Sequence, residues 1–215
     1  MKTGYLWRLT DQYTTQISRA ADSLDWSRKE TYGNWLAQTF YFVSHSTRLL
    51  TLAASRFDLR FDEQHTQLVQ HAKEEKSHEK IARADLKALG LTLEELPELP
   101  ATKAMYRSAY YLIERDHPMA IYGYVALLEV LSIKRGPALL EAAAENFGKN
   151  CTHFLRIHTE DDVEHIKMYE GLLASCEGPA QAAVAEAISC TGENFLRMLD
   201  EINAASRVRK LTKAA

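Results

Sequence analysis

The chain has 215 residues, 46% of them hydrophobic, which is enough for one sizeable core. Its formal net charge of −3 argues against a nucleic-acid-binding surface, because such a surface normally needs clustered basic residues. Its three cysteines lack CxxC spacing, which argues against a thiolate zinc site and a disulfide framework. We therefore expect a single domain, residues 1–215, with no nucleic-acid partner.

The apolar segments of the chain are short. None approaches the ~18 consecutive apolar residues of a membrane span, and the N-terminal segment lacks the apolar region of a signal peptide. These features predict a cytoplasmic protein without a membrane partner, and the cysteine pattern is typical of a reducing compartment.

Helix-forming residues dominate, and only nine glycines and five prolines interrupt them, so the predicted fold class is all-α. Gly90 is a suitable residue just after a helix end, and Pro97 and Pro100 mark a loop. Pro118 suits the first position of a helix, and Gly136 with Pro137 predicts a helix break. The predicted helices cover residues 9–22, Ser27 or Thr31 to 56, 62–90, 101–116, 118–135, 151–176 and 180–207.

Two segments repeat a histidine pattern. In "IHTEDDVEHIKMYEGLL", a histidine, an acid and a second histidine recur at i, i+4 and i+7, and "HAKEEKSHEKI" has the same spacing. On a helix, such positions lie within roughly 60° of arc, so their side chains point in one direction. The repeat suggests an internal pseudo-two-fold, with two similar helix groups facing each other. The six residues are His71, Glu75 and His78, and then His158, Asp162 and His165.

A lone carboxylate lies between the two stripes. Glu129 interrupts the apolar run "YVALLEVLS", and a buried carboxylate needs a partner. Two acid-x-x-His helices with further carboxylates form the di-iron sites of helical bundles. Each stripe rises about 10 Å, which suits two metal ions better than one. The mixed carboxylate and imidazole ligands predict iron, two ions per chain, with manganese as the alternative metal.

Each stripe has an alternative interpretation as a solvated helix face, which is the usual location of histidines on charged helices. Stripe geometry favours Glu75 over Glu74 and Asp162 over Asp161 as ligands, and leaves both choices open.

Three further residues are candidates for a cavity beside the metal ions. His45 lies on the helix before the first stripe, and Tyr41 and Tyr122 fall at i−4 from His45 and i−7 from Glu129. For His45, the alternatives are a metal ligand and a buried histidine that is hydrogen-bonded to a neighbour. For the two tyrosines the alternative is a core role, because aromatic residues at helical spacing usually pack in the interior.

The same segments resemble the heme-oxygenase-like family, which includes thiaminase II-like proteins, pyrroloquinoline-quinone synthase-like proteins and di-iron oxidases. "HTEDDVEH" is similar to the His-x3-Asp-x2-His of the di-iron oxidases, and "HAKEEKSHEKIARADLKALG" resembles a helix of iron-containing redox proteins. The similarity extends from the Trp35 helix to about Ala174. Where the di-iron oxidases commonly carry an acid seven residues before the first-stripe histidine, this chain has His71. The resemblance implies a compact bundle of about seven helices and a homodimer.

The leading functional hypothesis is a non-heme di-iron oxidase or oxygenase that uses O2 on a small organic or amino-acid-derived substrate. One alternative is a metal-free thiaminase II-like protein, although no cysteine has a visible activating context. Others are a heme-binding protein of the same fold, a ferritin-like metal-binding bundle, and a protein that oxidises one of its own tyrosines.

Overall fold

Helices account for nearly all of the chain. The computed structural model describes the backbone of residues 4–213 and the side chains of residues 4–159, 169 and 171–206. Within this part there is no strand, which confirms the all-α prediction. The α-helices are α1 (Tyr5–Asp22), α2 (Lys29–Val43), α3 (Ser46–Arg56), α4 (Asp62–Glu74), α5 (His78–Ala88), α6 (Pro100–Tyr111), α7 (Ala120–Phe147), α8 (His153–Ser175) and α9 (Gly178–Lys213).

The first-stripe helix is not continuous, contrary to the prediction of one helix over residues 62–90. Helix α4 ends at Glu74, a turn covers 75–77, and α5 begins at His78. Ser77 has φ +77° in the left-handed region, which a residue inside an α-helix cannot adopt. The turn separates His71 and Glu75 from His78, so the three do not form a straight helical stripe.

A second predicted helix is also interrupted, and one predicted break is absent. A turn at Ser44 and His45 separates α2 from α3. Helix α7 instead runs through Gly136 and Pro137, so the predicted break there is wrong. A built Cβ on Gly136 would lie 2.4 Å from Thr159 Cγ2, so this glycine lets α7 and α8 pack closely. If each interrupted pair counts once, the bundle has the expected seven helices.

Several helix ends follow the predicted signals. Gly90 has φ +73° after α5, and its N–H donates to the Lys87 carbonyl while the Leu91 N–H donates to Leu86. These two bonds form a Schellman motif, and Gly90 follows the helix end as the sequence predicted. Pro100 is the first residue of α6, whereas Pro118 lies two residues before the start of α7.

Helix α7 runs through the centre of the bundle and packs against α1, α8 and α9. Its first half is almost entirely buried, which explains why the segment is apolar on all sides. Helix α5 packs against α8, so the helices that carry the two histidine stripes are neighbours. The internal pseudo-two-fold itself stays a prediction. Across the described residues, no helix is both long and apolar enough to span a membrane.

Candidate metal centre

The turn after α4 and the start of α5 place three potential ligands together with α8. Glu75, His78 and His158 each offer one ligand atom, and these atoms all lie within 4.8 Å of one another. The rings of His78 and His158 meet edge to face with centroids 4.9 Å apart. Two ligands bound at ~2.1 Å to one ion lie roughly 3.0–4.2 Å apart, so a small closure fits the three residues to one metal ion. The donor set, two imidazoles and a carboxylate, suits iron or manganese.

A second group adjoins the first. His71 is only 3% exposed, and its Nε2 lies 3.3 Å from Glu129 Oε1 and 3.8 Å from Glu75 Oε1. The same Glu75 oxygen lies 3.5 Å from His78 Nδ1. Glu75 therefore lies between the two groups and is close to a histidine of each. The sequence predicted that the buried Glu129 carboxylate has a partner, and in the structure His71 is such a partner.

Tyr169 connects the second group to α8. Its hydroxyl lies 2.9 Å from His71 Nδ1 and 3.4 Å from Glu129 Oε1. Burial, followed by the charge of Glu129, raises its pKa well above the usual range, so the side chain stays a neutral phenol. Residue selection by histidine and acid spacing misses Tyr169. A signal was present, because 158, 162, 165 and 169 continue one helical face at i, i+4, i+7 and i+11.

Glu75 is ionised in this setting. Burial alone raises its pKa, but contacts with His71 and His78 and the charge of His158 lower the pKa overall, well below its usual range. Its sequence neighbour Glu74 is exposed and accepts a hydrogen bond from Gln70 Nε2 at 2.6 Å. The structure thus places Glu75, and not Glu74, at the centre.

Two predicted ligands of the second stripe fall in the part of α8 whose side chains the structure does not describe. The side chains of Asp162 and His165, like that of Asp161, lie outside the described residues. Of the seven predicted ligands, the structure brings together five: His71, Glu75, His78, Glu129 and His158.

A cavity of about 130 Å³ opens beside the centre. His71, Glu75, Glu129 and His158 contribute to its wall, and most of the remaining lining is apolar. The larger apolar lining residues include Trp35, Phe42, Leu50, Phe154, Phe195 and Leu199. An apolar cavity next to a group of carboxylates and imidazoles can hold an organic molecule against a bound metal ion.

The three candidate cavity residues lie elsewhere. His45 stacks on Tyr106 at 3.8 Å between ring centroids, and Tyr41 donates to the carbonyls of Leu93 and Leu96. Tyr122 is buried in the core, with its ring 5.8 Å from that of Tyr169. None of the three is among the described residues that line the cavity. Tyr122 has the core role that aromatic residues at helical spacing commonly have, whereas Tyr41 is half-buried beside the loop that follows α5.

Solved structures with similar folds cover almost the whole chain. A domain of unknown function with a heme oxygenase-like fold from Shewanella denitrificans shares 18% identity and has a TM-score of 0.83, covering 97% of this chain and 96% of that chain. A TenA homolog from Pseudomonas syringae pv. tomato has 11% identity, 92% coverage of both chains and a TM-score of 0.73. A TenA homologue from P. horikoshii has 14% identity, 94% and 98% coverage and a TM-score of 0.69. The fold is therefore heme-oxygenase-like, as the sequence resemblance implied.

Sequence comparison adds the family. No curated protein matches the chain in sequence. A family model described as iron-containing redox enzyme matches residues 33–192, a range that includes all seven predicted ligands. Since the match covers well over half of the sequence, the chain belongs to the iron-containing redox enzyme family.

Proposed function

We propose that the protein is an iron-dependent oxidase that uses O2 to oxidise a small organic or amino-acid-derived substrate. The observation that carries this proposal is the position of Glu75 between two histidine-containing groups at the wall of an apolar cavity. Membership in the iron-containing redox enzyme family supports the choice of iron. Manganese accepts the same ligand types and is the alternative.

The residues would divide between two ions. Glu75, His78 and His158 would hold one, and His71 with Glu129 would hold the other, with Glu75 shared. Asp162 and His165 are the ligands we propose to add from α8. Iron held by these residues would supply redox chemistry toward O2.

Tyr169 would set the tautomer of His71. One phenolic proton cannot serve both of its contacts. If Tyr169 donates to Glu129 Oε1, its oxygen accepts from His71 Nδ1–H, and His71 Nε2 keeps its lone pair toward the centre. Metal-bound histidines commonly donate their second N–H in this way.

The apolar wall would do the remaining work of the protein. It would orient the substrate beside the centre and exclude water, which strengthens the electrostatic interactions of the ligands. Bound iron would supply the electrons for O2 reduction. The chain's own contribution is ligand geometry, substrate position and a dry cavity.

Metal-free chemistry of the thiaminase type is the second candidate, because two of the similar structures are TenA homologues. That chemistry would need an activated cysteine. Burial raises the pKa of Cys151, Cys176 and Cys190, and none is among the described residues that line the cavity. Low-pKa thiolates are the reactive form, so the cysteines weigh against this candidate.

The test uses two adjacent glutamates. The wild-type protein, Glu75→Gln and Glu74→Gln are loaded with Fe(II) without oxygen, desalted and assayed for iron per chain, and O2 consumption is then followed. We expect the wild type and Glu74→Gln to retain about two irons and to consume O2. Glu75→Gln should retain little iron, because a neutral amide replaces the shared carboxylate.

Three outcomes would overturn the proposal: the wild type retains no iron, both variants retain equal amounts of iron, or the iron-loaded wild type consumes no O2. An absorption band near the Soret region on adding hemin, in place of iron retention, would favour heme binding.

A further inference from the structure

One cationic side chain lines the cavity in addition to the groups of the metal centre. Arg135 lies on α7, six residues after Glu129, and both contribute to the cavity wall. The helix rises about 9 Å between them. Among the described lining residues, Arg135 is the one permanent cation.

Arg135 is held in place but keeps donors to spare. Its Nη1 lies 2.8 Å from Asp22 Oδ1, at the end of α1, and its side chain is 24% exposed. Its Nε is buried and has no hydrogen-bond partner among the described residues. A guanidinium carries five N–H donors, so one ion pair leaves most of them for a ligand. Asp22 is largely exposed, which weakens its hold on Arg135.

The surroundings of Arg135 restrict the ligand. Trp26, Leu139 and Leu131 line the cavity with it, and most of the other lining residues outside the metal centre are apolar. A polar group of the ligand that lies against an apolar wall loses its hydrogen bonds to water and gains none from the protein, which weakens binding. A suitable ligand therefore has one anionic group for Arg135 and an apolar body for the rest.

We propose that the cavity binds apolar monocarboxylates, with the carboxylate on Arg135 and the hydrocarbon body directed along α7 toward Glu129. This inference rests on the proposed function for what happens to the ligand, and it narrows the substrate class to organic acids. Binding itself does not require iron, so it is tested separately.

Tryptophan fluorescence provides the measurement. Trp26 and Trp35 line the cavity, whereas the third tryptophan, Trp7, is buried in α1. Metal-free protein is titrated with sodium octanoate and, as a neutral match in length, with octanamide. We expect saturable fluorescence changes with octanoate and at least tenfold weaker binding of octanamide, because a charge-assisted hydrogen bond is lost.

Variants assign the carboxylate to Arg135. Arg135→Gln should weaken octanoate binding about tenfold or more and leave octanamide binding unchanged. Arg60→Gln is the matched control, since Arg60 lies on the surface paired with Asp58. Asp22→Asn keeps Arg135 and removes its competing carboxylate, so octanoate binding should strengthen about two- to fivefold.

The inference is overturned if octanoate gives no saturable signal, if octanamide binds equally well, or if Arg135→Gln with wild-type circular dichroism binds octanoate normally. If Arg135→Gln does not fold, Asp22→Asn takes its place, and weaker octanoate binding by Asp22→Asn would overturn the inference. Iron retention is a separate readout: octanoate binding without iron retention would leave this site standing and remove the oxidase.

Discussion

At the scale of single residues, the phenol of Tyr169 joins two side chains of the metal centre. Tyr169→Phe removes the hydroxyl that contacts His71 Nδ1 and Glu129 Oε1 and changes little else in volume. We expect Fe(II) affinity to fall roughly tenfold or more, because the loss of a partner behind a ligand typically costs that much. Anaerobic competition with a chromogenic chelator measures the affinity.

Tyr41→Phe is the control for this experiment. It also removes a tyrosine hydroxyl, but that hydroxyl donates to the Leu93 and Leu96 carbonyls, away from the centre. Equal iron affinity in Tyr169→Phe and Tyr41→Phe would show that Tyr169 does not hold His71 in place.

The residue types of the centre were predictable from the sequence, whereas their grouping was not. A buried partner for Glu129 follows from the cost of burying a carboxylate, and the structure supplies His71. The choice between Glu74 and Glu75 depends on where α4 ends, which helical periodicity does not reveal. Arg135 carried no signal, because an arginine in a helix is normally solvated.

At the scale of elements, the turn between α4 and α5 determines how Glu75 and His78 meet. Ser77 holds this turn with a left-handed backbone, which glycine adopts freely and β-branched residues avoid. We expect Ser77→Gly to keep wild-type stability and iron affinity. Ser77→Val should lower the free energy of unfolding by about 1–2 kcal/mol and weaken iron binding.

Urea unfolding and the chelator assay measure both effects. Unchanged iron affinity in Ser77→Val would mean that the turn does not position the two ligands, whatever happens to stability.

Helix α5 is also tied to the start of α8. Asp85 is fully buried on α5 and accepts from the Phe154 N–H at 2.8 Å, with His153 Nδ1 at 2.9 Å. Asp85→Ala leaves the buried Phe154 N–H without its acceptor, so we expect a loss of about 2–3 kcal/mol in the free energy of unfolding.

Asp58→Ala provides the comparison in urea, because Asp58 is an exposed carboxylate that pairs with Arg60. Its unfolding midpoint should fall much less than that of Asp85→Ala, because the bonds of Asp58 to the Arg60 side chain and N–H lie at the surface. The tie between α5 and α8 would be unimportant if Asp85→Ala unfolded at the same midpoint.

The sequence predicted which segments are helical better than it predicted where a helix is interrupted. The segment around Ser77 contains neither glycine nor proline, so nothing in its composition predicts the turn. Gly136 and Pro137 predict a break that is absent. Pro137 itself is exposed, and the packing of α7 as a whole against α1, α8 and α9 outweighs its missing N–H.

At the scale of the whole molecule, metal binding should stabilise the fold, since the ligands come from α4, α5, α7 and α8. Iron at 100 times its dissociation constant would add about 2.7 kcal/mol to the free energy of unfolding. For a chain of this length, the melting temperature should rise by roughly 5–10 °C. Differential scanning fluorimetry without oxygen measures the shift, and Glu75→Gln should abolish it.

A melting temperature that rises equally in wild type and Glu75→Gln would indicate iron binding at another place.

The all-α class followed from composition and periodicity, and the heme-oxygenase-like fold from the resemblance of residues 35–174. The cavity could not be predicted, because Phe42 and Leu50 have the same sequence pattern whether they line a space or fill a core.

The unbroken course of α7 has a consequence for regiochemistry. Glu129 and Arg135 belong to one helix, which continues through Pro137 without interruption. Because the helix is continuous between them, the distance between the backbone positions of Glu129 and Arg135 is fixed. We therefore expect acids of different chain length, held at Arg135, to place the same carbon, counted from the carboxylate, nearest the metal centre. Lengthening the substrate would then alter fit at its far end and leave the position of oxidation unchanged.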